Sequence, residues 1–172
     1  GYLGATPVGM PLPQIPDALS KGVINGCVIP WEVVPSVKVH ELTKFHSEFD
    51  PAGGALYTTT FVMAMNKKKY ESLSPENKKV IDANSGINTS GWLGKTQQGN
   101  DPIGRKSASD RNNNIYTIPA SDAQEFRRKA RLVEVEWVDD MNKRGFDGRK
   151  LLDGARALID KHTKAQGAPK KA

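Results

Sequence analysis

The sequence predicts an α/β fold, and three observations carry that expectation. Leu56 to Met65 is a run of Leu, Tyr, Thr, Phe, Val, Met and Ala without a charge. That is the composition of a central strand covered on both faces. Phe126, Ala130, Val133, Trp137 and Met141 recur at helical spacing, which marks a core-facing stripe on a long helix. Between and around these, strand-like and helix-like segments alternate along the chain.

Ala5 to Met10 reads as a short strand. Pro13 to Lys21 reads as a short helix, with Ile15, Ala18 and Leu19 on one face and Gly22 where a glycine C-cap belongs. Pro13 and Pro16 are tolerated because the first N–H groups of a helix lack intrahelical partners. Asn25-Gly26 is a tight-turn signal, so Val23 to Trp31 reads as a turn followed by a strand. Pro30 opens a short helix over Trp31 to Val39, and Leu42 to Phe49 is a further strand. Asp50 to Gly54 is a loop. It is followed by the apolar strand from Leu56, expected to be the most buried in the protein. A charge placed there, as in Val62→Asp, is expected to destabilise severely.

Asn66 to Leu73 reads as a short helix. Ser74-Pro75-Glu76 then supplies an N-cap, a first-turn proline and a first-turn acid. The helix it starts runs through Val80, Ile81 and Ala83 toward Trp92, with Gly86, Gly91 and Gly94 marking a bend or interruption. Pro102 and Asn112 to Asn114 mark the next break, and Asn114 to Ile118 is a second strand. Ser121 and Gln124 form a capping box for the long helix, which Gly145 ends. If its stripe is core, Trp137→Ala costs roughly 3–5 kcal/mol. Asp147 caps a last helix whose Leu151, Leu152, Ala155, Leu158, Ile159 and His162 share one face.

Of the 172 residues, 37% are hydrophobic, enough for one α/β domain or for parts of two lobes. No apolar run is long enough to span a bilayer. No basic segment followed by an apolar one opens the chain as a signal peptide would. The single cysteine, Cys27, lies among Ile24, Val28 and Ile29 and reads as a small buried hydrophobe. The net charge is +6, with Lys164, Lys170 and Lys171 in a low-complexity segment from Thr163 onward. Residues 163–172 therefore read as a flexible basic tail. Elsewhere bases and acids interleave, and no nucleic-acid motif is present, so no nucleic-acid partner is expected. A basic adaptor for an acidic protein or nucleic acid stands as the alternative function.

The catalytic inventory is poor. There is no nucleophile elbow, phosphate loop or dinucleotide fingerprint, so neither enzymatic chemistry nor a cofactor is expected. His40, His46 and Glu48 could sketch the site of a metal-dependent hydrolase, with His46 and Glu48 on one face of a strand. Their spacing fits no zinc pattern, and no metal is expected there.

The order of several short motifs is more informative. Gly4-Ala5-Thr6-Pro7-Val8, then Ala18-Leu19, then Gly22-Val23-Ile24-Asn25-Gly26, lead to Pro30. Thr60 to Asn66 and Leu73-Ser74-Pro75-Glu76 follow. In this order they resemble the solute-binding proteins of TRAP transporters (the DctP-type family), with Asn25 where Asp is usual. The resemblance covers Gly1 to about His162. It implies a periplasmic binding-protein-like fold of type II, present incompletely, with the N-terminal lobe missing. Residues 1–162 would be the C-terminal portion of a two-lobed protein. It further implies a periplasmic protein that captures a small organic acid and delivers it to the membrane subunits of a TRAP transporter. No arginine precedes Arg105, and the arginine that commonly clamps the ligand carboxylate in that family is expected upstream.

By position, the resemblance points to seven ligand-binding residues. Leu12 stands where relatives often carry an aromatic residue above the ligand. Ile29 precedes the cleft proline, Pro30, and Trp31 and Glu32 follow along the wall. Thr58 and Thr59 enter the apolar strand where relatives present side chains to ligand. An indole offers a broad apolar face and threonine hydroxyls offer adaptable hydrogen bonds. A carboxylate at Glu32 would repel an acid, so it orders the site, binds a cation or pairs with a base. Trp31 as plain core and Glu32 as plain surface stand as the alternative. Apolar faces bared without the other lobe would favour self-association of the chain.

Overall fold

The computed structural model describes residues 1–165. It contains eight α-helices and two strands among them. The chain divides into two compact units. One is Pro7–Ala120; the other combines Gly1–Thr6 with the segment from Ser121 onward.

In the Pro7–Ala120 unit, a 3-10 turn at Leu12–Gln14 leads into α1, Ile15–Ser20. Its buried residues are Ile15 and Ala18, one helical turn apart. Gly22 follows with φ +68, the left-handed conformation a helix C-terminus favours. A second 3-10 turn, Trp31–Val33, begins after Pro30, and α2 spans Val39–Leu42. Val34 and Val39 are buried beside them.

Strands β1, Phe45–Phe49, and β2, Asn114–Ile118, pair in parallel, with Phe45 opposite Asn114 and Phe49 opposite Ile118. A parallel pair needs a long crossover. Here it carries α3, Lys67–Glu71; α4, Pro75–Ala83; α5, Ile87–Gln98; and α6, Asp101–Ser109. The side chain of Asn66 caps α3 by accepting from the Lys69 N–H, and Ser74 caps α4 through the Asn77 N–H. The chain breaks between α4 and α5 at Asn84–Gly86, where Gly86 has φ +85. Ala108 of α6 is the most completely buried of the core side chains.

Three expected strands are absent. Ala5 to Met10 and Leu56 to Met65 are irregular in the structure, and Val23 to Trp31 is irregular up to Trp31, which opens a 3-10 turn. Leu56 to Met65 is the sharpest departure: Val62 is 82% and Met63 92% exposed. Its residues have strand propensity, but no neighbouring strand among the described residues takes up its backbone groups. Propensity without a ladder partner and a covering layer does not make a strand.

In the second unit, α7 spans Ala120–Lys143 and α8 spans Gly148–Ala165. The tail boundary expected at Thr163 thus falls inside a helix, and the rest of that segment lies outside the described residues. The capping box is also not formed, because the helix already begins at Ala120, which puts Ser121 inside it, and the Ser121 hydroxyl donates to the Asp122 carboxylate. Gly145, with φ +85, ends the α7 run, and Asp147 caps α8 by accepting from the Lys150 N–H at 2.9 Å. A Cβ on Gly148 would lie 2.6 Å from the Val138 carbonyl oxygen, so only glycine permits so close a turn. Arg156 of α8 pairs with Glu134 of α7 at 2.6 Å, and the Tyr2 hydroxyl donates to Glu136.

The stripe on α7 is only partly covered. Phe126, Ala130 and Met141 are half-buried, whereas Val133 and Trp137 are exposed. The fully buried positions of α7 are instead Ala123 and Val138. Leu151, Leu158 and Ile159 of α8 are likewise exposed. Periodicity reports which side of a helix is apolar, but not whether anything lies against it. No described helix is long and apolar enough to cross a membrane.

Candidate functional site

A cluster of polar contacts in the Pro7–Ala120 unit surrounds Trp31. Pro30 is extended, with φ −65 and ψ 154, and delivers Trp31 as the first residue of its 3-10 turn. The turn lies directly on α6. A Cβ on Gly104 would stand 1.8 Å from the Trp31 carbonyl oxygen, so glycine is what allows this approach. The Asp101 carboxylate accepts the Glu32 N–H at 3.1 Å, supplying an acceptor to a donor the turn leaves without a partner.

The indole is held as well. Its Nε1–H donates to Glu48 Oε2 at 3.1 Å. Glu48, on β1, also receives a fork from Arg105 of α6: Nε lies 3.1 and 3.0 Å from the two carboxylate oxygens and Nη2 lies 2.9 Å from Oε1. Charge-assisted bidentate contacts of this kind are directional as well as strong. The Trp31 and His46 rings lie 5.4 Å apart between centroids and are inclined by 32°.

Below the indole is a polar knot. Asn113 Nδ2 donates to the His40 carbonyl at 2.8 Å and lies 3.1 Å from His46 Nε2, which is also 3.4 Å from the Thr43 hydroxyl. Burial, and secondarily the neighbouring His40, lowers the His46 pKa below its ordinary 6.5. His40 Nδ1 and Asn113 Oδ1 are buried without a hydrogen-bond partner among the described residues.

The seven sequence-predicted site residues divide. Ile29, Pro30, Trp31 and Glu32 are contiguous and half-buried on the α6 side of the unit. Leu12 is 38% exposed in the 3-10 turn that precedes α1. Thr58 and Thr59 are exposed in the irregular segment, and neither side chain makes a hydrogen bond among the described residues. His46 and Glu48 do share a strand face, but their polar atoms are engaged with Asn113, Thr43, Trp31 and Arg105. Among the described residues no group of three His, Cys, Asp or Glu side chains is placed to hold a metal ion. Cys27 is half-buried, and burial pushes its thiol pKa up, away from thiolate reactivity.

Asp101, Gly104, Arg105 and Asn113 did not stand out in the sequence. Gly104 carried the one usable signal, since a glycine inside a helical run often marks a close backbone approach.

The family model of bacterial extracellular solute-binding proteins, family 7 (DctP), matches residues 1–138. The chain belongs to this family. Several solved structures are similar to this DctP-family chain. A TRAP solute-binding protein from Rhodoferax ferrireducens T118, in complex with copurified benzoate, is 69% identical. The match has a TM-score of 0.94 and covers 97% of this chain and 52% of that one. A marine-metagenome TRAP solute-binding protein specific for aromatic acid ligands, in complex with metahydroxyphenylacetate, is 45% identical. There the TM-score is 0.87, over 93% of this chain and 50% of that one. A TRAP periplasmic solute-binding protein from Desulfovibrio salexigens DSM2638 is 25% identical with a TM-score of 0.69, over 99% of this chain and 51% of that one. The DctP-family chain thus spans about half the length of the structures it matches. Its mixture of helices and parallel strands is that of a partial α/β binding-protein lobe.

Proposed function

We propose that this chain supplies one wall of a cleft that captures an aromatic carboxylate in the periplasm for delivery to the membrane subunits of a TRAP transporter. The observation that carries the reading is the 69% identity, over nearly the whole chain, to a protein solved with copurified benzoate. Trp31 supports it physically. An indole fixed in place gives an aromatic ring a preformed partner, at no cost in side-chain entropy on binding. Leu12, Ile29 and Pro30 add apolar contact, Thr58 and Thr59 supply hydroxyl donors to the acid, and Glu32, whose backbone N–H is tied to Asp101, completes the wall beside Trp31. No bond is made or broken. Residues 1–162 act as the C-terminal portion of a two-lobed protein, and closure of the lobes traps the ligand.

A single wall buries only part of a ligand, and among the described residues the guanidinium beside Trp31, that of Arg105, is taken by Glu48. Binding to the 172-residue chain is therefore weak, with an expected Kd of about 1–3 mM. Ligand-observed NMR titration with benzoate, 3-hydroxyphenylacetate and hexanoate tests this. A saturable response to the two aromatic acids, stronger than to hexanoate and reduced by Trp31→Ala, is expected. No saturable aromatic response up to about 10 mM would overturn the reading. The uncovered apolar faces of α8 and of residues 56–65 also support self-association of the chain; a strictly monomeric species in light scattering would count against that part.

A further inference from the structure

We infer that Glu48, locked by Arg105, is the residue that positions Trp31 for ligand. The inference rests on the reading of Trp31 as cleft wall and deepens it. Trp31 is half-buried yet restrained in nearly every degree of freedom. Its carbonyl is pressed onto Gly104 of α6, the following N–H is bonded to Asp101, and its ring lies against His46. What remains is rotation of the indole about its side-chain bonds, and the Nε1–H bond to Glu48 Oε2 arrests it.

A glutamate on its own would be a poor anchor, because its side chain has several rotamers of its own. The fork from Arg105 removes that freedom by engaging both carboxylate oxygens. Arg105 follows Gly104 in the sequence, so the contact that seats the Trp31 backbone and the cation that fixes its acceptor arrive on one turn of one helix. Backbone and side chain of Trp31 are thus set by the same element. The pair also neutralises Glu48, which would otherwise present a bare carboxylate beside a site meant for an acid.

The test is a double-mutant cycle read by ligand-observed NMR, with the melting temperature followed in parallel. Glu48→Ala is expected to weaken the aromatic-acid response roughly three- to tenfold, with Glu48→Gln in between. Trp31→Phe keeps a ring but removes the N–H. In that background Glu48→Ala should have almost no further effect on the response. A purely structural Glu48 would lower the melting temperature and the response equally in both backgrounds, and that result overturns the inference. So does an unchanged response in Glu48→Ala. If Glu48→Ala does not fold, the cycle is run with Glu48→Gln, which keeps an acceptor oxygen and much of the volume. A response insensitive to Trp31→Ala would instead overturn the cleft-wall reading, and the two failures are distinguishable.

Discussion

Phe45–Phe49 and Leu56–Met65 teach opposite lessons about what makes a strand. The first contains His46, Ser47 and Glu48 in five residues, yet it forms β1 and pairs along its whole length with β2. The second has no charge and abundant β-branched and aromatic residues, yet it is irregular and exposed. The polar segment has a partner strand and ties for its side chains: Asn113 for His46, Trp31 and Arg105 for Glu48. The apolar segment has none of these among the described residues. Pairing and coverage decide the outcome, and composition only permits it.

The strongest way to break the ordered side of this comparison is at Gly104. Gly104→Ala would push a methyl group into backbone, the Trp31 carbonyl, which cannot rotate away. A loss of about 3 kcal/mol is expected, measured as a shift in denaturant midpoint. A change under about 0.5 kcal/mol would show that the turn and α6 separate easily.

A smaller effect is expected from pH. His46 is held neutral by burial and by His40, so its folded pKa lies below the unfolded 6.5. The groups around it are Thr43, Asn113 and His40, with Trp31 across the ring face; Glu48, on the same strand face, is paired with Arg105. As pH falls below 6.5 the unfolded chain takes up a proton that the fold resists, so stability declines until the folded pKa is passed. Above 6.5 this group contributes no slope. Denaturant midpoints between about pH 7.5 and 5 should show the decline, and His46→Gln should flatten it. An unchanged slope in the variant would mean that other groups cause it.

The smallest effect belongs to the apolar segment. Val62→Asp, severe if the segment were a central strand, is expected to change stability by no more than about 0.5 kcal/mol, because Val62 is 82% exposed. A loss of several kcal/mol would mean that the segment is covered in solution and would erase the contrast with β1.

Local signals were legible where their physics is local. The bounds of β2, the Ser74 cap, the interruption at Gly86, the glycines at positions 22 and 145 and the Asp147 cap all follow from residues within a few positions of each other. The order of short motifs also pointed to the DctP family. The expected strands at 5–10 and 56–65 failed because a strand is a property of two segments and the sequence displays one at a time. The stripe through Val133 and Trp137 failed similarly: its spacing is helical, but covering it requires an element that spacing does not reveal. In the candidate site, Trp31 was pointed to by the family resemblance, through its place after Pro30. Its supports were not, since Glu48 and Arg105 are 57 residues apart and nothing in either neighbourhood announces the other.

The parallel pairing of β1 with β2 also dictates an order of assembly. Residues 50–113, with four helices among them, must be looped back before the first ladder bond can form, and the entropy of that closure is spent before any contact repays it. The α7–α8 pair needs only the turn through Gly145 and Asp147, with its caps already local. Contact order therefore places the helical hairpin early in folding and the seat of Trp31, which depends on β1 and α6 together, near the end.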